Sequence, residues 1–121
     1  MQDQVQISIG GANGVPVTQL ARMSNRHGLI AGATGTGKTV SLQILAEGFS
    51  RLGVPVFAAD IKGDLSGLAA AAEPHPKIQE RVEKIPVPDY RPEASPVLFW
   101  DLFAENGHPL CTTVSGPPLN D

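Results

Sequence analysis

Residues 32–39 read Gly-Ala-Thr-Gly-Thr-Gly-Lys-Thr, a complete G-x-x-x-x-G-K-[ST] pattern. It constrains the fold strongly, because the loop needs a strand entering on one side and a helix leaving on the other. Residues 27–31, His-Gly-Leu-Ile-Ala, read as that strand, and a helical pattern opens near Lys38. Gly32, Gly35 and Gly37 carry no β-carbon, so the chain can take positive φ and curl successive N–H groups around an anion. The first turn of the helix adds unpaired amides and the positive end of its dipole at the same point. In such a loop Lys38 reaches the β- and γ-phosphates of a nucleoside triphosphate, and the Thr39 hydroxyl joins a magnesium shell of water and phosphate oxygen. The predicted nucleotide contacts are Gly32, Ala33, Thr34, Gly35, Thr36, Gly37, Lys38, Thr39 and Val40. A glycine-rich strand-to-helix turn that binds nothing is the plain alternative.

The segments around the loop extend the same pattern. Leu42, Leu45, Phe49 and Leu52 recur at helical spacing, and Gly53 supplies a stop. Gly48 inside that helix costs about 1 kcal/mol against alanine, so the helix must lean on tertiary packing. Residues 54–59 are almost continuously apolar and end at Asp60, as a strand covered on both faces does. Strand, loop, helix and strand make a βαβ unit, whose right-handed crossover would place a nucleotide at the carboxyl ends of the strands. Asp60 at such an end is a candidate magnesium contact with Lys62 near phosphate; a solvated acidic-basic turn is the competing reading.

Upstream, Val5, Ile7 and Ile9 alternate with Gln6 and Ser8, the period of a half-buried strand, and residues 10–14 break it with turn chemistry. Residues 15–23 form a second short segment able to pair with the first. Downstream, residues 64–72 read as a small-residue loop or short helix, and 77–84 as two helical turns. Residues 86–96 are a connector studded by Pro86, Pro88, Pro92 and Pro96, and 97–100 a third strand capped by Asp101. The expected architecture is α/β: a partial P-loop NTPase three-layer fold with a parallel sheet over 24–121, preceded by a short β segment at 1–23.

Composition narrows the function classes. With 121 residues the chain can bury one modest core, and aromatic content of 5% with 13 Gly and 11 Pro makes it rich in turns. A net charge of −3 provides no bulk basic field for nucleic acid. The single Cys111 cannot form an internal disulfide, and no apolar run approaches membrane-spanning length, so a cytoplasmic protein without membrane contact is expected.

Taken together, residues 25–39, 53–56 and 60–65, with 97–101 and 107–110, resemble the amino-terminal part of bacterial HerA-like ATPases in the HerA and FtsK group of P-loop motors. The resemblance covers about residues 14–115. It implies a hexameric, magnesium-dependent ATPase with a RecA-like core, related to DNA helicases and translocases, with ATP as ligand and DNA as a partner of the assembled ring. Family members carry a later strand ending in Asp-Glu, where the aspartate helps hold magnesium and the glutamate polarises water. No Asp-Glu pair occurs here; Asp60 and Asp101 are followed by Ile61 and Leu102. The expectation is therefore an amino-terminal fragment that stops before that strand, with no assignable catalytic residue. It is either part of a motor or a truncated nucleotide-binding module without turnover of its own.

The remaining chemistry-bearing residues point to little. His27, His75 and His108 are too scattered for metal-ligand spacing, and Cys111 has no partner for nucleophilic work. Arg22 and Arg26 read as surface charges or as groups facing a neighbouring subunit's nucleotide. Lys77, Arg81 and Lys84 interleave with Glu80 and Glu83, as on a salt-bridged solvent face.

Overall fold

An amino-terminal hairpin begins the architecture, and its turn dictates its register. Strand β1 (Gln6–Ala12) pairs antiparallel with β2 (Val15–Leu20) in the computed structural model, which describes residues 4–85 and 90–110. Asn13 and Gly14 join the strands with φ of 52° and 75°. Two positive φ values in succession define the two-residue turn whose twist matches paired strands, and Asn-Gly is the sequence that best tolerates it. The break expected over 10–14 is thus confined to 13–14, and β1 runs on through Gly10 and Gly11. A register shift between Ser8 and Gly10 leaves Ile9 as the extra residue of a bulge.

Helix α1 (Lys38–Arg51) starts from Gly37, whose φ of 90° makes it a left-handed N-cap, and it ends as the sequence foretells. The Gly53 N–H donates to the Ser50 carbonyl at 2.9 Å and the Val54 N–H to the Phe49 carbonyl at 3.0 Å, with Gly53 at φ 75°. This crossed pair of bonds is the Schellman ending, which satisfies carbonyls the helix leaves free. The helix packs along β1, with a close approach where Gly48 meets Ile7. A β-carbon at Gly48 would overlap Cγ2 of Ile7, and Ile7, 4% exposed, is the buried apolar residue among those described.

Helix α2 (Pro76–Lys84) is the second α-helix. Pro76 sits in its first turn, where a missing N–H costs nothing, and the His75 imidazole Nδ1 accepts from the Lys77 N–H at 3.2 Å. Lys84 pairs with Glu80 one turn back, the solvent-face arrangement the charge pattern implies. Just beyond, Ile85 Cγ2 occupies the space a β-carbon at Gly11 would need, tying the end of α2 to the hairpin. The small-residue segment after Asp64 holds one 3-10 turn, Ser66–Ala69.

The architecture is mixed α/β with two small sheets, and here it departs from the expected RecA-like parallel sheet. Residues 27–31 and 54–59 run without ladder partners, and the third expected strand contracts to β3 (Trp100–Asp101), paired in parallel with β4 (His108–Pro109). The physical reason lies in coverage. A parallel sheet is stable when helices cover both of its faces, whereas Leu29 is 90% exposed and Phe57 79% exposed. The accessible surface of 10391 Å² exceeds the roughly 6,200 Å² expected of a compact monomer of this mass. No helix among the described residues is long and apolar enough to cross a membrane. Cys111 and the prolines at 86 and 88 lie outside the described residues.

Candidate functional site

The glycine-rich loop is built by two left-handed residues that hand the chain directly to α1. Gly35 has φ of 80° and Gly37 of 90°, and a β-carbon at either would meet nothing within 4 Å, so both face open space. A side chain at these positions would carry the strain of a left-handed backbone even though room exists. Ser41 is the first residue whose N–H turns back into the helix, to the Gly37 carbonyl at 3.0 Å, and its hydroxyl bonds the same oxygen at 3.2 Å. The N–H groups of Lys38, Thr39 and Val40 therefore have no carbonyl within the helix to receive them, and Gly37 brings no side-chain cap. These three amides, with the helix dipole behind them, make the anion-attracting end of the loop.

One carbonyl organises the rest. The Ala33 oxygen accepts from the Thr36 N–H at 3.3 Å, from the Thr36 hydroxyl at 2.7 Å and from the Lys38 ammonium at 2.7 Å. Gly32 makes this possible, because its β-carbon would stand 2.5 Å from the Thr36 hydroxyl oxygen. Lys38 thus lies folded over its own loop, held by a neutral acceptor and exposed to exchange with a stronger, charged one. The structure brings Gly32 through Val40 together as one continuous feature, as the motif implies. The bonding of the Thr36 side chain escapes sequence reading, because the pattern leaves that position free.

Asp60 makes its hydrogen bonds within the segment that follows it. Its carboxylate accepts from the Leu65 N–H at 2.7 Å and from the Lys62 N–H at 3.0 Å, closing its own loop. The Leu65 amide is the largest cause of a pKa held below the usual carboxylate range; desolvation opposes it, and the Lys62 and Gly63 amides add to the lowering. Asp101 repeats the device. It accepts from the N–H groups of Phe103, Glu105 and Asn106, all at 3.0 Å, and its pKa is lowered, with the Phe103 amide the largest cause. Two apolar runs therefore each end in an aspartate that caps the loop behind it. The common signal is an Asp closing an apolar stretch ahead of small or polar residues, whose amides need an acceptor.

The sign of the pH dependence follows from the lowered values. Each aspartate contributes to loop order fully above the unfolded carboxylate value near about 3.9, and the contribution is lost as pH falls through the lower folded value. Amide resonances of Leu65 and Phe103 should hold their positions from neutral pH down to about 4 and move only below it. Movement centred at or above the ordinary carboxylate value would contradict the bonding described.

The other candidates are placed in less organised surroundings. The Arg26 guanidinium bonds the neighbouring Asn25 side chain at 3.2 Å, and Arg22 lies in a 3-10 turn, Ala21–Met23, near Gln4, Val5 and Leu52. His108 stacks obliquely on Trp100, ring centres 5.8 Å apart at 51°, while His75 serves as the α2 cap. No group of three or more potential metal ligands assembles among the described residues.

The family described as helicase HerA-like C-terminal matches residues 6–119, a span that takes in the hairpin, the loop and both helices. No curated protein and no solved structure matches the chain. The matching region is a C-terminal one, which overturns the expectation of an amino-terminal fragment. With nearly its whole length matched, the chain belongs to the helicase HerA-like C-terminal family.

Proposed function

We propose that this chain binds ATP with magnesium through the loop from Gly32 to Val40, as the nucleotide-binding part of a HerA-like, helicase- or translocase-type ATPase. The observation that carries the reading is the junction at Gly37. A left-handed residue there opens α1 with three free amides, directly beside the Lys38 ammonium and the open faces of Gly35 and Gly37. The donor set suits a polyphosphate: backbone N–H groups for its bridging oxygens, one full positive charge for its terminal groups, and the Thr39 hydroxyl for magnesium. Magnesium, when bound, would neutralise phosphate charge.

Asp60 enters this proposal through its unused lone pairs. Each carboxylate oxygen accepts one backbone N–H and retains further acceptor capacity for a magnesium-bound water. Its lowered pKa keeps it ionised at neutral pH. Asp60→Asn is expected to weaken magnesium-dependent ATP binding about three- to tenfold while leaving magnesium-free binding unchanged. Titration at limiting magnesium checks this, and equal affinities would remove Asp60 from the site.

Turnover belongs to the assembled form of the family, a hexameric ring acting on DNA or a similar polymer. A module that binds without turning over is the second reading, favoured because backbone amides lower the pKa of Asp60 and Asp101 and make both weaker bases. Calorimetric titration of the chain with ATP and magnesium, followed by phosphate release with and without DNA, tests both. Absence of any ATP binding would refute the proposal, and binding without phosphate release would select the second reading.

A further inference from the structure

Resting on the nucleotide reading above, we infer that Thr36 is a positioning residue that sets how readily Lys38 leaves its resting place for phosphate. The Ala33 carbonyl has two lone pairs and three donors directed at it: the Thr36 N–H, the Thr36 hydroxyl and the Lys38 ammonium. The lysine and the hydroxyl both lie at 2.7 Å, so they compete for one oxygen. This has a direct consequence for ligand capture. When Lys38 turns to phosphate, the carbonyl keeps the hydroxyl of Thr36 and is not stripped of its strong partners.

Gly32 completes the device. Its missing β-carbon leaves the space in which the Thr36 hydroxyl rests, 2.5 Å from where that carbon would be. A methyl at position 32 displaces the hydroxyl from Ala33, and removal of the hydroxyl at position 36 has the same effect from the other side. In either variant the Ala33 oxygen retains only the longer 3.3 Å amide once the lysine departs. The resting arrangement, with Lys38 on its own loop, is then favoured over the phosphate-bound one. The population competent to hold a terminal phosphate falls, and the apparent affinity falls with it. The hydroxyl therefore regulates access to Lys38 without itself touching phosphate.

The test is a series of magnesium-ATP titrations on the wild-type chain and on Thr36→Val, Thr36→Ser, Gly32→Ala and the Gly32→Ala/Thr36→Val double variant, each checked for helix content by circular dichroism. Thr36→Val should bind about fivefold more weakly, the scale of one net hydrogen bond. Thr36→Ser should return to within about twofold of wild type, since it keeps the donor. The double variant should be no weaker than the weaker single one, because both changes remove one bond. Wild-type binding with Thr36→Val unchanged, Thr36→Ser as weak as Thr36→Val, or full additivity in the double variant would each overturn the inference while leaving the nucleotide reading standing. A wild-type chain that binds no ATP would overturn both.

Discussion

Lys38→Ala is expected to weaken magnesium-ATP binding by at least about a hundredfold, the product of two lost charge-assisted bonds to the β- and γ-phosphates. The folded chain should barely notice. Lys38 bonds only the Ala33 carbonyl, which keeps its two Thr36 donors, and alanine is a good residue for the first turn of α1. Loss of binding with retained helix content would place the charge of Lys38 in the nucleotide site. Wild-type affinity in this variant would mean that the loop does not take a triphosphate as proposed. The comparison is sharper with AMP, whose single phosphate offers no terminal group for the lysine, so any binding it shows should change little.

The second large effect concerns the joint between α1 and the hairpin. Gly48→Ala gains about 1 kcal/mol of helix propensity, which taken alone predicts a more stable chain. Packing reverses the sign. The added methyl would overlap Cγ2 of Ile7, a buried, β-branched side chain that cannot swing aside without moving β1. Overpacking of this kind costs about 1–3 kcal/mol, which offsets the propensity gain and leaves the chain destabilised by up to about 2 kcal/mol. Ile7→Ala should cost about 2–4 kcal/mol by itself. Combining the two should cost less than their sum, because the methyl at 48 then fills part of the space vacated at 7. Denaturant unfolding of the four proteins measures the coupling, and strict additivity would show that the two residues do not meet.

Much of the local structure was legible because it depends on neighbours in sequence. The turn chemistry over 10–14 announces the hairpin, Gly53 the end of α1, the helical pattern over 77–84 most of α2, and the 32–39 pattern the loop with its helix. The expectation that Gly48 needs tertiary support was sound, but not what provides it; Ile7 lies 41 positions away and its alternation with Gln6 and Ser8 fits any half-buried strand. The parallel sheet failed for the opposite reason. Residues 27–31 and 54–59 have the apolar content of buried strands, but their burial depends on covering layers that no local pattern encodes, and Leu29 and Phe57 remain exposed. Within the loop, backbone geometry was readable from glycine spacing, whereas the Thr36 hydroxyl depends on the space beside Gly32, a contact between two positions of which the motif specifies only one.

Helix α1 is a single unbroken rod, with the glycine-rich loop at one end and the hairpin seated about three turns along it. From Gly37 to Gly48 the rise is about 16 Å, and the close seat of Ile7 on Gly48 leaves little slack in the joint. The amino-terminal β segment is therefore seated on the same rod whose first turn presents the amides of Lys38, Thr39 and Val40.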